Sequence, residues 1–153
     1  MNQSRRDALR IASVLGLAVA AGIIKPGEAF AAEWNANAFN AKTLPDAEKA
    51  LGAAGPADSK DVVLTGPDIA ENGAVVPVAL ASKLPKTEYM AILVEKNPNP
   101  LAASFNVVEG TEPAVTTRIK MGTTSNVIAL VKADGKWYTA SKEIKVTLGG
   151  CGG

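Results

Sequence analysis

The sequence predicts an all-β fold: an immunoglobulin-like antiparallel β-sandwich, with a short N-terminal helical segment before it and a flexible C-terminal arm after it. Three observations lead to this prediction. After Pro56 the chain consists of short apolar, β-branched runs, each bounded by turn residues. No helix-length apolar pattern separates these runs. The last five residues, Gly-Gly-Cys-Gly-Gly, offer almost no side chain to bury, which favours a solvated tether.

Residues 1–31 have the pattern of a twin-arginine-type export signal. Arg5 and Arg6 precede an apolar run over residues 11–24, and Ala29-Phe30-Ala31 supplies small residues for cleavage. The apolar run is too short and too rich in Ala and Gly to span a bilayer comfortably, so no membrane anchor is expected after cleavage. A generic secretory signal would use another route to the same destination. The sequence therefore predicts a periplasmic protein.

Charge and composition exclude several classes of function. The chain has 16 basic and 15 acidic residues, so it lacks the positive excess that binds nucleic acid. It contains no histidine and one cysteine, which excludes a Ser-His-Asp or Cys-His pair, a CxxC redox pair and an imidazole or thiolate zinc site. The carboxylates show no acid–base spacing. We expect no catalytic residue, no metal and no cofactor, and therefore no independent enzyme.

The mature domain is expected over residues 32–148. Apolar residues at loose helical spacing predict a helix over about residues 46–53, with Pro45 in its first turn and Gly55-Pro56 closing it. The β-sandwich is expected over about residues 60–148. Its predicted strands are 62–64, 75–81, 89–95, 105–108, 115–121, 126–132, 136–139 and 143–148.

Three details of these strands bear on the architecture. Pro77 interrupts the second run, which indicates an edge strand or a bulge. Asp134-Gly135 joins two runs and predicts a two-residue hairpin. The last run alternates polar and apolar residues, so Ile144, Val146 and Leu148 are expected to face the core and anchor the strand.

The candidate site is the C-terminal arm, which comprises Gly149, Gly150, Cys151, Gly152 and Gly153. Glycine has no Cβ to shield the cysteine, and the arm can carry the sulfur roughly 10 Å beyond the last ordered residue. The nearest cation in the sequence is Lys145, so activation of the thiol has to come from a partner. Two interpretations are open. The arm is a carrier, or it is a tail whose cysteine is incidental or forms a disulfide dimer.

Four stretches make the chain similar to the SoxY family, the sulfur-carrier subunit of the bacterial thiosulfate-oxidising Sox system. They are PDIAENGAVVPV (67–78), VEKNPNPL (94–101), TRIKM (117–121) and VTLGGCGG (146–153). Together they cover the mature chain, and the terminal pentapeptide in an exported protein is the most specific of them. Residues 68–77 are also a candidate contact with a partner subunit, because they are apolar and turn-rich.

This resemblance implies a mechanism and a set of partners. In the family, the cysteine at the position of Cys151 is joined oxidatively to thiosulfate by a c-type cytochrome, SoxXA. A manganese hydrolase, SoxB, then releases sulfate and leaves a persulfide, and a sulfur dehydrogenase, SoxCD, oxidises the remaining sulfur. The resemblance also implies a heterodimer with a SoxZ-like subunit, which lacks a signal of its own and would be co-exported.

Two other functions are open at this point. A ubiquitin-like sulfur carrier would load a thiocarboxylate on the terminal Gly152-Gly153, but this needs cytoplasmic activation by ATP, against which the export signal and the β-rich pattern count. An exported immunoglobulin-like binding module would use the sandwich alone. It predicts that replacing Cys151 changes nothing, whereas the carrier predicts complete loss of function.

Overall fold

The structure is a computed structural model that describes residues 35–147. The predicted signal (1–31), Leu148 and the predicted arm (149–153) lie outside the described residues. Two helices come first, α1 (Ala36–Asn40) and α2 (Leu44–Leu51). The strands within the described range are β1 (Ala57–Asp58), β2 (Val62–Thr65), β3 (Ile69–Ala70), β4 (Val76–Ser82), β5 (Thr87–Val94), β6 (Leu101–Asn106), β7 (Ala114–Ile119), β8 (Ser125–Ala133) and β9 (Lys136–Val146). Between residues 35 and 147, no helix is long and apolar enough to cross a membrane.

The strands form two sheets. The larger has the order β1-β9-β8-β5-β6, with β3 also pairing with β9, and the smaller has the order β2-β4-β7. The predicted antiparallel sandwich is confirmed. Two short pairs depart from it, because β1 and β3 run parallel to β9. Neither β1 nor β3 was predicted, because a strand of two residues is too short to show an alternation of polar and apolar side chains.

One apolar core lies between the sheets. It contains Val76, Val78 and Leu80 of the smaller sheet, and Met90, Ile92, Val94, Val127, Ala129, Val131 and Ile144 of the larger one. Alternate residues of β5 and β8 point into this core, as expected of strands. The larger sheet therefore uses one face to pack against the smaller sheet.

The other face of the larger sheet is covered by the helices. Ala91 and Leu93 of β5 and Leu130 of β8 pack there with Ala38 of α1 and Ala47 of α2. Because both faces are covered, β5 and β8 bury consecutive residues instead of alternate ones, which explains the unbroken apolar runs in their sequences. The domain thus has three layers, with the larger sheet in the middle.

The predicted helix exists, but its limits differ from the expected 46–53. The Thr43 hydroxyl accepts a hydrogen bond from the Asp46 amide at 3.3 Å, so Thr43 is the N-cap and α2 begins at Leu44. At its other end Gly52 adopts φ 75° and closes the helix after Leu51. The shorter α1 was not predicted, because five residues give no helical period.

The observed strand pairing gives strand limits that differ from those of two other predictions. The expected strand 105–108 is β6 (Leu101–Asn106), since Leu101, Ala103 and Ser104 also pair with β5, the last two despite their small side chains. The two expected strands 136–139 and 143–148 are one continuous strand, β9. It pairs with β8 from Lys136 to Ile144, including residues 140–142, which have weak strand propensity. The hairpin prediction is confirmed, because Asp134 and Gly135 have φ of 47° and 74°.

Pro77 was predicted to lie in an edge strand or at a bulge, and this prediction is wrong. β4 is the central strand of the smaller sheet. It pairs with β7 over residues 76–81, whereas β2 pairs with it only from Ala79 onward. Pro77 therefore lies beyond the last β2 partner, where β4 has a neighbour on one side. This local edge accommodates a residue that has no backbone N–H to donate.

Candidate functional site

The predicted site is attached to the end of β9. Cys151 and its four neighbouring glycines lie outside the described residues, so the structure shows the surface from which they extend. Thr147 is the last described residue. Four residue steps separate it from Cys151, so covalent geometry limits their Cα–Cα distance to about 14 Å. Any partner that reacts with the thiol therefore has to come close to the end of β9.

The inner face of β9 anchors the strand near its end. Ile144 is 1% exposed and lies in the core between the sheets. It pairs with Ser125 at the start of β8. Val146 is half-buried and packs against the same core. The inward orientation predicted for Ile144 and Val146 is confirmed, and the prediction for Leu148 lies outside the described residues.

One edge of β9 is paired up to the last described residue. β3 runs parallel to it and aligns Ala70 with Val146. The Lys145 amide donates to the Asp68 carbonyl at 3.0 Å, and the Thr147 amide donates to the Ala70 carbonyl at 3.1 Å. The segment 66–75 is thereby tied to the end of β9, and Thr147 still has a backbone partner.

The other edge of β9 is held by a side chain. The Val146 amide donates to the Thr124 hydroxyl at 3.0 Å. Thr124 precedes β8, which begins at Ser125, so its hydroxyl supplies an acceptor just beyond the end of the β8–β9 ladder. The end of β9 is therefore hydrogen-bonded on both sides, which fixes the point from which the predicted arm extends.

Gly73 allows the segment 66–75 to pass close to the end of β7. Its carbonyl accepts a hydrogen bond from the Met121 amide at 2.7 Å. A Cβ at Gly73 would overlap the Met121 carbonyl oxygen and lie 2.9 Å from Cγ1 of Val146. A glycine is therefore required at position 73, because the backbone of Met121 lies too close for a side chain. This close approach brings three segments together around β9.

The side chains of Asn97 and Ser125 connect the β5–β6 loop to the segments around the end of β9. The Asn97 side chain donates to the Lys120 carbonyl at 2.7 Å and accepts from the Gly122 amide at 3.2 Å. The Ser125 hydroxyl, which is buried, accepts from the Lys96 amide at 3.0 Å. None of the buried polar side chains among residues 35–147 lacks a hydrogen-bond partner.

These contacts bring together the four stretches that carry the family resemblance. The segments 66–75, 95–100 and 120–124 surround the end of β9, and we call this the root end of the sandwich. Sequence reasoning singled out the stretches, but it did not show that they meet. They meet because β2, β5, β7 and β9 end here, whereas β4, β6 and β8 begin here.

Asp68 adds an ion pair at the root end. Its carboxylate lies 2.8 Å from the Lys142 ammonium, and the Asp68 side chain is exposed. The hydrogen bond and charge of Lys142, and more weakly the charge of Lys145, hold the pKa of Asp68 below its ordinary value. Lys142 is thus engaged with Asp68 and joins the segment 66–75 to β9.

The described residues show no further site chemistry. Within 35–147, no group of acidic, histidine or cysteine side chains is arranged to hold a metal ion. Thr124, Gly73 and Asn97 were not predicted from the sequence to lie at this end of the domain. Their only signal was membership of turn-rich stretches, and their roles depend on contacts between segments distant in the chain.

Comparisons with known proteins agree with this fold. The family model "Sulfur oxidation protein SoxY" matches residues 47–151, a range that ends at the predicted site residue. The chain is similar to the sulfur carrier protein SoxY from Chlorobium limicola f thiosulfatophilum, with a TM-score of 0.63 and 37% identity over 69% of this chain and 97% of that chain. It also resembles a superoxide reductase (neelaredoxin) from Ignicoccus hospitalis in fold, with a TM-score of 0.50 and 18% identity over 69% of this chain and 93% of that chain. No curated protein matches the chain.

Proposed function

The chain belongs to the SoxY family of sulfur carrier proteins, and from this premise we propose that it holds its sulfur cargo covalently on Cys151. The family match favours a carrier over both alternatives, the immunoglobulin-like binding module and the ubiquitin-like thiocarboxylate carrier. It also implies that the partners are components of a sulfur-oxidising system.

The observation that carries the proposal is the contrast between the end of β9 and the residues beyond it. Val146 and Thr147 are hydrogen-bonded to Thr124 and Ala70. After Leu148 the sequence contains four glycines and one thiol. A thiol without neighbouring side chains, attached to a fixed point by a short tether, can enter a narrow active site in another protein.

The first chemical step joins the Cys151 sulfur to the sulfane sulfur of thiosulfate. One sulfur–sulfur bond forms, the thiol proton leaves, and two electrons pass to an oxidant, for which we propose the c-type cytochrome SoxXA. In the next step a water molecule attacks the sulfonate sulfur, and this reaction is assigned to the manganese hydrolase SoxB. Sulfate leaves with the water oxygen, and a persulfide remains on Cys151 as the substrate of the sulfur dehydrogenase SoxCD.

The enzymes have to activate the thiol, because this chain supplies no histidine to act as a base. Lys142, a cation on the strand that leads to the arm, is already engaged with Asp68 at 2.8 Å. The thiolate is the attacking form of cysteine. A carrier that cannot activate its own thiol is protected from reaction outside the enzymes, which suits a protein that passes a reactive sulfur between them.

The remaining parts of the proposal concern location and assembly. The Arg5-Arg6 pattern and the small residues before Ala32 support twin-arginine export to the periplasm. Because that route moves folded proteins, a SoxZ-like subunit without a signal could travel as the bound partner in a heterodimer. Size-exclusion chromatography of the periplasmic protein tests both points together.

Intact-protein mass spectrometry tests the covalent carrier. The mature chain is purified without reductant from cells supplied with thiosulfate, beside the Cys151→Ser variant. We expect thiosulfonate and persulfide adducts on the wild-type chain that reductant removes, no adduct on the variant, and loss of thiosulfate oxidation in the variant strain. An unmodified wild-type cysteine, with thiosulfate oxidation unaffected by the substitution, would contradict the proposal and favour the binding module.

A further inference from the structure

Two large apolar side chains are exposed beside the point where the arm leaves the domain. Ile69 is 57% exposed and Val75 is 50% exposed. Both belong to the root end. The other large hydrophobic side chain exposed among residues 35–147 is Val108, at 71%. It follows β6, whose last residue, Asn106, pairs with Tyr89 near the start of β5, so Val108 lies at the opposite end of the sandwich.

Both residues are held close to Thr147. Ile69 lies opposite Lys145 in the β3–β9 ladder, and its neighbour Ala70 accepts the hydrogen bond of the Thr147 amide. Val75 is two residues from Gly73, which lies against Val146. The turn between them is fixed, because the Asn72 carbonyl accepts from Val75 at 3.4 Å and its side chain accepts from the Ala74 amide at 2.9 Å.

The length of the arm determines what can cover this surface. The Cα of Cys151 lies within about 14 Å of the Cα of Thr147. When the thiol reaches the bottom of an enzyme's active-site pocket, most of the arm lies inside that pocket. The rim of the pocket therefore lies over the residues that surround Thr147, and Ile69 and Val75 are the large apolar ones.

We propose that Ile69 and Val75 form a docking surface for the enzymes that act on Cys151, and that these enzymes present an apolar rim around the pocket entrance. This inference rests on the proposed function. A subunit bound permanently over Ile69 and Val75 would stand between the arm and the enzyme, so the heterodimer partner is the less favourable occupant. Exposed apolar residues beside a functional site are a common feature of such transient contacts.

The contact is expected to depend little on ionic strength. The charges beside the two apolar residues are of both signs. Asp68 is paired with Lys142, and Glu71 and Lys145 lie on either side of the same β3–β9 contact. Salt screens interactions between exposed charges and leaves apolar contacts intact. Docking is therefore expected to persist at an ionic strength that abolishes an electrostatic encounter.

Steady-state loading tests the docking surface. The purified SoxXA-type cytochrome is given thiosulfate and increasing concentrations of the carrier, and adduct formation on Cys151 is followed by intact mass. The variants are Ile69→Ser/Val75→Ser, Ile69→Leu/Val75→Ile as the conservative pair, and Val108→Ser as the matched control at the opposite end. Reaction of Cys151 with iodoacetamide, which needs no docking, reports the chemistry of the thiol in each variant.

We expect the serine pair to raise KM for the carrier about tenfold, with kcat and the iodoacetamide rate unchanged. The conservative pair and Val108→Ser should behave as the wild type. An unchanged KM for the serine pair, or an equal rise for Val108→Ser, would overturn the docking surface alone. Faster reaction of the serine pair with iodoacetamide would show that Ile69 and Val75 cover the arm, and it would overturn the docking surface. A weakened heterodimer would show that the two residues bind the partner subunit, and it would overturn the docking surface as well. If the wild-type chain forms no adduct, the proposed function fails and this inference fails with it.

Discussion

The two ends of the sandwich hold their loops in different ways. At the root end, side chains bind backbone groups of distant segments, as Asn97 does with Lys120 and Gly122 and Thr124 does with Val146. At the opposite end, which we call the hairpin end, one buried hydroxyl binds groups of neighbouring residues. The Ser82 hydroxyl is 2.7 Å from the Thr87 hydroxyl and accepts from the Leu84 amide at 3.2 Å.

Exposed ion pairs are present at both ends. The long-range side-chain contacts at the hairpin end include exposed ion pairs, Lys86 with Asp134 and Lys132 with Glu88, each at 3.2 Å. Exposed pairs of this kind contribute about 0–1 kcal/mol and weaken with salt. The root end has the exposed Asp68–Lys142 pair and, in addition, hydrogen bonds between side chains and distant backbone groups, of which those of Ser125 and Thr124 are partly buried. The loops at the end that carries the predicted arm are therefore held by partly buried contacts between segments distant in the chain.

The largest expected effect comes from adding a methyl group at Gly73, which lies close to the backbone of Met121. Gly73→Ala would place a Cβ against the Met121 carbonyl and within 2.9 Å of Val146 Cγ1, so the segment 66–75 has to move away from β9. We expect a loss of about 2 kcal/mol of unfolding free energy, measured by denaturant unfolding of the mature chain.

Gly122→Ala is the matched control for that substitution. Gly122 lies at the same end, and the nearest atom to its Cβ would be Asn97 Oδ1 at 4.0 Å, so the added methyl has space. Its unfolding free energy is expected to stay within about 0.5 kcal/mol of the wild type. Equal effects of the two substitutions would show that the close approach at Gly73 does not stabilise the root end.

A smaller and more local effect is expected at Thr124. Thr124→Val keeps the shape of the side chain but removes the hydroxyl that accepts from Val146 at 3.0 Å. We expect a loss of about 1 kcal/mol, and roughly fivefold faster hydrogen exchange at the Val146 amide because opening of the β9 end becomes easier.

Thr124→Ser retains the hydroxyl and should preserve slow exchange at Val146. Ser82→Ala provides the comparison at the hairpin end, since it removes contacts within one short turn, and it should leave the Val146 amide unaffected. If Thr124→Val and Thr124→Ser exchange equally fast, the side-chain hydrogen bond does not hold the end of β9.

The smallest effect concerns the pH dependence of the Asp68–Lys142 pair. Lys142 lowers the pKa of Asp68 in the folded chain, so the pair stabilises the fold above the ordinary pKa of aspartate, about 3.9. This contribution is lost as the pH falls from that value through the lower folded pKa. Because Asp68 is exposed, we expect a small difference between the wild type and Asp68→Asn at neutral pH that shrinks on acidification.

Asp134→Asn removes the carboxylate of the exposed Lys86–Asp134 pair at the hairpin end and is the comparison for loss of an exposed ion pair. Unfolding of all three proteins is measured by urea denaturation at neutral pH and below about pH 3, since urea leaves the ionic strength unchanged. A difference between wild type and Asp68→Asn that grows on acidification would have the wrong sign for a lowered pKa and would contradict the assigned ion pair.

Several features of the fold could be predicted because their causes are local. The Asp134-Gly135 hairpin depends on two residues that tolerate positive φ. The inward orientation of Ile144 and Val146 follows from alternation along one strand. The helix near residues 44–51 was predicted from apolar spacing and Pro45, although its limits depend on the caps Thr43 and Gly52.

Other features could not be predicted because they depend on pairing between distant residues. The Ala70–Val146 alignment and the Thr147–Glu71 contact join positions up to 76 residues apart. The pairing of residues 140–142 with β8 overrides their weak strand propensity and makes β9 continuous. Pro77 is tolerated in a central strand because β2 ends before reaching it.

The sequence by itself determined the chemistry available to this protein: one thiol among glycines at the end of the chain, no histidine, and a β-rich domain after a predicted export signal. These are properties of residue types and of short-range order, and the role of Cys151 stays a prediction. Only the tertiary structure decided that segments 66–75, 95–100 and 120–124 meet around Thr147, with Ile69 and Val75 exposed beside it. The physical reason is that ladder register and close backbone approach are set by packing of the whole domain, which no local stretch encodes.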